Sequence, residues 1–161
     1  MSPFVPEKIV SGGQTGADRA GLDAAIALGI PHGGWCPKGR KSEDGGVPVH
    51  YALTETASSD YLVRTEWNVR DSDASMVFAA KVPVTGGTKR TLLFAEKHGR
   101  PVLVVTPKDA DPVRAIREWL SMVRPKALNV AGQRESKTPG IHAFAFDTLS
   151  KALSPAGATS A

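Results

Sequence analysis

Apolar residues along this chain gather in short runs, at Ile9–Val10, Met76–Ala80, Val102–Val105 and Leu128–Ala131, the last broken only by Asn129. Strands buried on both faces, as in a parallel sheet, read as such near-continuous apolar runs. A fifth, weaker strand is expected from Ile30 to Trp35. Between the runs the pattern turns helical. Ala17–Leu28 is closed by Gly29 with Pro31 beyond it, and Thr88–His98 by Gly99 with Pro101 beyond it, the punctuation that follows helix ends. Asp111 can cap a further helix that carries Pro112 in its first turn. That helix places Val113, Ile116, Leu120 and Val123 on one face, suited to docking on the sheet. Tyr61–Asp71 reads as a polar helix, and Lys38 to Glu55 as a long loop of the kind that is uncommon unless functional or mobile.

Strand and helix alternate, which predicts right-handed βαβ units and an α/β fold: a Rossmann-like, doubly wound parallel sheet in three αβα layers. The chain of 161 residues is long enough for one ordinary core. A single domain over residues 1–153 is expected, with 154–161 as a frayed tail of small residues.

Composition narrows the function classes. With 41% hydrophobic and 22% charged residues the chain is globular, and no apolar run approaches the roughly 20 residues of a membrane span. Met1 to Lys8 shows no basic segment followed by an apolar one, so the expectation is a soluble cytoplasmic protein without membrane contact. One cysteine, Cys36, excludes an internal disulfide, and no Cys or His pair has structural-zinc or HExxH spacing, so no protein-built metal site is expected. The net charge of +4 is carried by scattered residues, which argues against nucleic acid and for a surface that tolerates an anionic ligand. His32, His50, His98 and His142 lie at no motif-like spacing, and no catalytic residue is assigned.

Chemistry concentrates where strands end. The first strand runs into Gly12, Gly13, Gln14, Thr15 and Gly16 and then directly into a helix, so backbone N–H groups and the helix dipole converge where an anion belongs. A valine at Gly13 is expected to intrude where the backbone meets phosphate. Thr85, Gly86, Gly87 and Thr88 repeat the device before the next helix, and Asn129 to Ser136 follows the last strand, with Arg134 and Ser136 as further anion contacts. In an open parallel sheet those ends share one edge, and the crevice there takes the ligand. Lys38 and Arg40 add positive charge after the second strand, as does Lys41. Arg64 and Asn68 share a face of the polar helix, with Asp71 a turn on; they line the crevice or form a surface ion-pair cluster. Asp18 and Asp44 serve as caps or as ligand contacts, and Cys36 as a reactive or an inert buried thiol. Neither nucleotide signature fits, since Ser11 stands at the first glycine of GxGxxG and no Gly-Lys-Ser/Thr follows for a Walker loop.

Ser11 to Asp23, Gly34 to Arg40, Glu43 to Gly45, Arg64 to Asp73 and Gly86 to Thr88 together resemble the molybdenum carrier family, over nearly the whole chain from Lys8 to about Leu153. The resemblance implies a branch of a Rossmann-like nucleotide-binding superfamily that includes lysine decarboxylase-like phosphoribohydrolases, enzymes with a PGGxGTxxE motif. Val84 to Thr91 corresponds to that motif but has Thr91 where the enzymes carry Glu, which favours binding over turnover. The implied ligand is molybdenum cofactor (Mo-molybdopterin), a pterin dithiolene with a terminal phosphate that already holds its metal. Implied partners are molybdoenzymes or cofactor-synthesis proteins, with a homo-oligomer, dimer or tetramer, as the assembly. The apolar face around Trp119 can bury either a subunit contact or the chain's own core. The alternatives are a nucleotide-cleaving enzyme using Asp18, Asp73 or Glu66 as its acid, and a nucleotide-sensing module.

Overall fold

The computed structural model describes residues 2–155. The frayed-tail expectation falls mostly on residues 156–161, which lie outside the described residues. Seven strands occur in it: β1 (Lys8–Val10), β2 (His32–Gly33), β3 (Trp35–Cys36), β4 (Thr54–Glu55), β5 (Ala74–Phe78), β6 (Val102–Val105) and β7 (Ala127–Gly132). Five helices accompany them: α1 (Ala17–Leu28), α2 (Tyr61–Arg70), α3 (Gly86–Lys97), α4 (Pro112–Val123) and α5 (Ile141–Leu153).

Five strands form one fully parallel sheet in the order β2-β1-β7-β5-β6, while β3 and β4 pair in a small parallel ribbon of their own. Thus β7, the last strand, is inserted between β1 and β5. Ile9 aligns with Leu128, and Leu128 with Ala74, so three separate parts of the chain are in register at the sheet centre. All five residues of β5 are buried, as a strand covered on both faces requires. Helices α1, α5 and α4 pack against one another as one layer; α2 and α3 form the other. The main core lies under the first layer and includes Ile9, Met76, Phe78, Leu128, Val130, Ile116, Leu120 and Leu149, all fully buried. This is the three-layer Rossmann-like arrangement expected from the alternating pattern.

Local chemistry explains the element ends. In α1, Gly29 takes the left-handed conformation (φ 71°) at the C-cap, and Ile30 N–H bonds Ala25 O in closing the helix. Asp60 caps α2 through Leu62 N–H, and Asp111 caps α4 through Arg114 N–H with Pro112 as the first helical residue. As the periodicity requires, α4 buries Ile116 and Leu120, while Val113, Trp119 and Val123 lie partly buried on the same core. Trp119 therefore packs within its own chain.

Three differences from the pattern reading have physical causes. The expected strand from Ile30 to Trp35 is two strands, because Gly34 (φ 124°) turns the chain out of the main sheet to pair β3 with β4. At that glycine a Cβ would meet the Ser11 backbone, so the chain passes too close for any side chain. Helix α3 begins at Gly86, two residues before Thr88, so its glycines form the first turn itself. Helix α5 has no counterpart in the pattern reading. Its buried positions Ile141, Ala145, Thr148, Leu149 and Ala152 follow helical spacing, but the alternation around Phe144 and Phe146 also suits a strand.

Close packing of α1 on β7 depends on Gly21, where a Cβ would stand 2.5 Å from the Val130 side chain. Gly21→Ala should therefore destabilise the fold by about 1–3 kcal/mol, the usual cost of overpacking. Gly87→Ala, whose new Cβ meets nothing within 4 Å, should leave the melting temperature nearly unchanged. Thermal denaturation of the two variants checks the contrast.

Candidate functional site

At the carboxyl edge of the sheet, the ends of β1, β7 and β5 lie side by side, and the segments that leave them border one open crevice. Its empty space of about 850 Å³ includes open solvent, so the crevice is a shallow, accessible one and not an enclosed cavity. Gly12, Gln14 and Asp18 line it from the first loop, and Thr85, Gly87, Thr88 and Thr91 from the second. The third contributes Gln133, Arg134 and Lys137, and α2 adds Tyr61, Arg64, Thr65 and Asn68.

The two glycine loops differ in what meets their helix N-termini. Asp18 sits in the first turn of α1, and its Oδ2 accepts the N–H of Gln14 at 3.1 Å and Arg64 Nη1 at 3.2 Å. The α1 terminus is thus served by the protein's own carboxylate. Burial pushes the Asp18 carboxyl above its ordinary range, against the opposing pull of Arg64 and the Gln14 N–H. Arg64 lies across Gly12, where any side chain would collide with the guanidinium, and over the Tyr61 ring at 5.4 Å. Its Nε is buried without a partner.

Helix α3 is open by contrast. Thr85, its N-cap, is extended and makes no side-chain cap bond, and no acid stands in the first turn. The first intrahelical bond from this terminus is Lys89 N–H to Thr85 O, leaving the N–H groups of Gly86, Gly87 and Thr88 without helical partners. Lys137 Nζ would stand 3.5 Å from a Cβ at Gly86, so an ammonium group borders the same turn. Free donors, helix dipole and cations meet there, which suits an oxyanion.

Gln133 joins the loops. Its N–H bonds Phe78 O, its carbonyl accepts Ala17 N–H, and its side-chain oxygen accepts Ala80 N–H and the Thr138 hydroxyl, both at 2.8 Å. Asn68 does a similar task across the second layer, exchanging two hydrogen bonds with the Trp35 backbone at 2.8 and 2.9 Å.

Of the residues singled out by sequence, Gly12, Gln14, Arg64, Asn68, Thr85, Gly87, Thr88 and Arg134 border the crevice. Gly86 lies beside it at the α3 terminus. The others are placed differently. A Cβ at Gly13 (φ 79°) would meet Leu53 and Val47 of the long loop, so Gly13→Val would disturb loop packing rather than a ligand-facing surface. Gly16 (φ 82°) is pressed against the backbone of Gln133 and Glu135. Arg40 binds the carbonyls of Val47, Pro48, Leu53 and Tyr51, pinning the loop from within, whereas Lys38 takes no part in the crevice lining. Lys41 stacks over Tyr61 at 4.4 Å. Asp71 accepts the Trp35 Nε1–H and pairs with Arg70. Cys36 is fully buried beside Leu22, Val47 and Tyr51, and burial pushes its thiol up, which keeps it protonated and unreactive. Lys137, Thr91 and Tyr61 are crevice residues that the motif reading did not select as contacts.

Thr15 and Ser136 face a protein carboxylate. Glu43, in the long loop, accepts from the hydroxyls of both and from Ser136 N–H at 3.2 Å, with Arg134 Nη1 at 3.8 Å. Next to it, Asp44 takes a two-pronged grip from Arg19 at 2.6 and 2.8 Å. These two acids strap the loop to the α1 end.

The fold and crevice define a Rossmann-like α/β ligand-binding domain. The model of the Circularly permutated YpsA SLOG family matches residues 9–153, and the chain belongs to that family. A crystal structure from Syntrophus aciditrophicus SB, named "Putative molybdenum carrier protein", is 42% identical, covers 96% of this chain and 98% of its own, and superposes with a TM-score of 0.90. No curated protein matches the chain.

The straps dictate how the loop answers pH. Arg19 holds Asp44 well below its ordinary value of 3.8. Burial would raise Glu43, but the hydrogen bonds from Ser136 and Thr15 outweigh it and hold the carboxyl below 4.5. Depressed acids contribute stability above their unfolded values and lose it as pH falls through the folded ones. Amide exchange over residues 41–47, measured relative to the unprotected chain at the same pH, should therefore stay slow at about pH 5 and quicken only in stronger acid. Asp44→Asn should make it fast at neutral pH, which hydrogen-exchange mass spectrometry would read.

Proposed function

We propose that the chain is a carrier that binds an anionic, phosphate-bearing small molecule in the crevice, and that molybdenum cofactor is its cargo. One observation carries this reading: the open N-terminus of α3 stands beside Lys137, with Arg134 on the same crevice lining, whereas the other helix terminus there carries Asp18 in its first turn. A phosphate or an oxyanionic metal centre needs N–H donors and cations without a competing acid, and that is the donor set at α3. The residues present fit such a cargo. Gly86, Gly87 and Thr88 supply backbone donors, Arg134 and Lys137 positive charge, and Arg64 a guanidinium further in. The cargo's dithiolene sulfurs already hold its metal, so the protein's part is to bind, orient and shield. The name carried by the Syntrophus protein points the same way.

A second reading draws on Asp18. Of the three acids available to a nucleotide-cleaving enzyme, Asp73 accepts Ala127 N–H and Glu66 pairs with Lys97 and His98, away from the crevice lining. Asp18 lines it with a raised pKa, as a general acid would. Release of free base from nucleoside monophosphates, abolished by Asp18→Asn, would decide for that enzyme.

For the carrier, protein incubated anaerobically with cofactor should co-elute with about one molybdenum per chain; free migration of the cofactor would overturn the reading. Arg134→Glu combined with Lys137→Glu should weaken inorganic phosphate binding by on the order of tenfold or more, measured by calorimetry, with folding intact because both side chains are solvent-facing.

A further inference from the structure

The inner wall of the crevice is built differently from its cationic rim. Asp18 has a side chain only 4% exposed, yet its bonds to Gln14 N–H and Arg64 both use Oδ2. Among the described residues Oδ1 has no hydrogen-bond partner, although the residue lines the crevice. Asn129 on β7 is 2% exposed and also lines it; its Nδ2 is committed to Ser75 Oγ at 3.0 Å, which leaves the amide oxygen as the group on offer. Thr88 and Thr91, one helical turn apart on α3, are 7% and 3% exposed, and neither hydroxyl bonds another described residue. These polar atoms are uncommitted within the chain and open onto the crevice, where a ligand can take the place of water.

A carboxylate and an amide oxygen are acceptors, and an ionised acid repels phosphate. The inner wall therefore suits the opposite of what the rim suits. We infer that Asp18 Oδ1, assisted by Asn129, is a specificity-determining acceptor that reads N–H or amino donors on the ring of a heterocyclic phosphate ester whose anionic end lies at the α3 terminus. This rests on the proposed anion site and adds to it a ring class: heterocycles bearing an amidine-like donor edge, such as pterins and guanine, in preference to rings without the amino group. The pair with Arg64 supports the assignment, because the guanidinium opposes the effect of burial on the carboxyl and, by engaging Oδ2, leaves Oδ1 for the ligand. Leaving a buried acceptor unmatched is costly, so a site of this kind discriminates strongly against a ligand that lacks the donor.

The test compares inorganic phosphate with the phosphate esters of guanosine, inosine and a hydroxymethylpterin by calorimetry, with chromatography confirming that each ester stays intact. Guanosine and inosine monophosphates differ by one amino group. The wild-type protein should bind the amino-bearing esters at least about tenfold more tightly than the inosine ester. Asp18→Asn should shrink that ratio to about twofold or less, with inorganic phosphate bound at least as tightly as by the wild type because an acid that opposes the anion is gone. Equal wild-type affinities for all esters would overturn the donor-edge inference and leave the anion site standing. A ratio that persists in folded Asp18→Asn would likewise overturn it. Should inorganic phosphate and every ester fail to bind, the anion site itself would fall. The wild-type ratio decides the matter even if Asp18→Asn does not fold.

Discussion

A single buried ion pair organises the ligand-facing end of this molecule. Asp18 belongs to the layer formed by α1, α4 and α5, whereas Arg64 belongs to the layer of α2 and α3, and they meet over the ends of the strands. Two charges taken out of water on this scale would be destabilising without further partners. The Gln14 N–H and the α1 dipole supply them on the acid's side, and the Tyr61 ring lies under the guanidinium. The consequence is positional. Arg64 is drawn down on Gly12, and only glycine leaves room for it there.

That pair also separates two loops that look alike. Both are glycine-rich turns from strand to helix, and each alone predicts an anion site. At α1 the site is filled from within by Asp18; at α3 nothing in the first turn competes. In the proposed carrier the anion-binding end thus falls to the second loop, while in the first Gly13 and Gly16 close against the long loop and β7's exit. Glu43 acts in the same sense, its carboxylate taking up the donors of Thr15 and Ser136.

Much of the fold was legible from the sequence because buried parallel strands and helix stops leave local marks. Val102–Val105 and the Asp111–Pro112 helix start need no tertiary context to be read. What was not legible depends on contacts distant in sequence. The turn at Gly34 arises from close passage by Ser11, and the inward role of Arg40 from carbonyls of a loop with no regular pattern. Lys137 carries no motif; it gains its place only because β7 enters the sheet beside β5. The meeting of three strand ends at one edge was foreseeable from parallel pairing alone. Which donors remain open at that edge depended on Asp18, whose two prospective roles were equal in the sequence.

The insertion of β7 between β1 and β5 gives the protein a test of its own completeness. Glu135 N–H and the Thr15 hydroxyl, 120 residues apart, bond directly. A ribosome-bound chain that has not yet released β7 has neither the sheet centre nor the wall carrying Arg134 and Lys137. In the proposed carrier, cargo would therefore be gripped only by a finished molecule, and a labile ligand would never be committed to a half-made container.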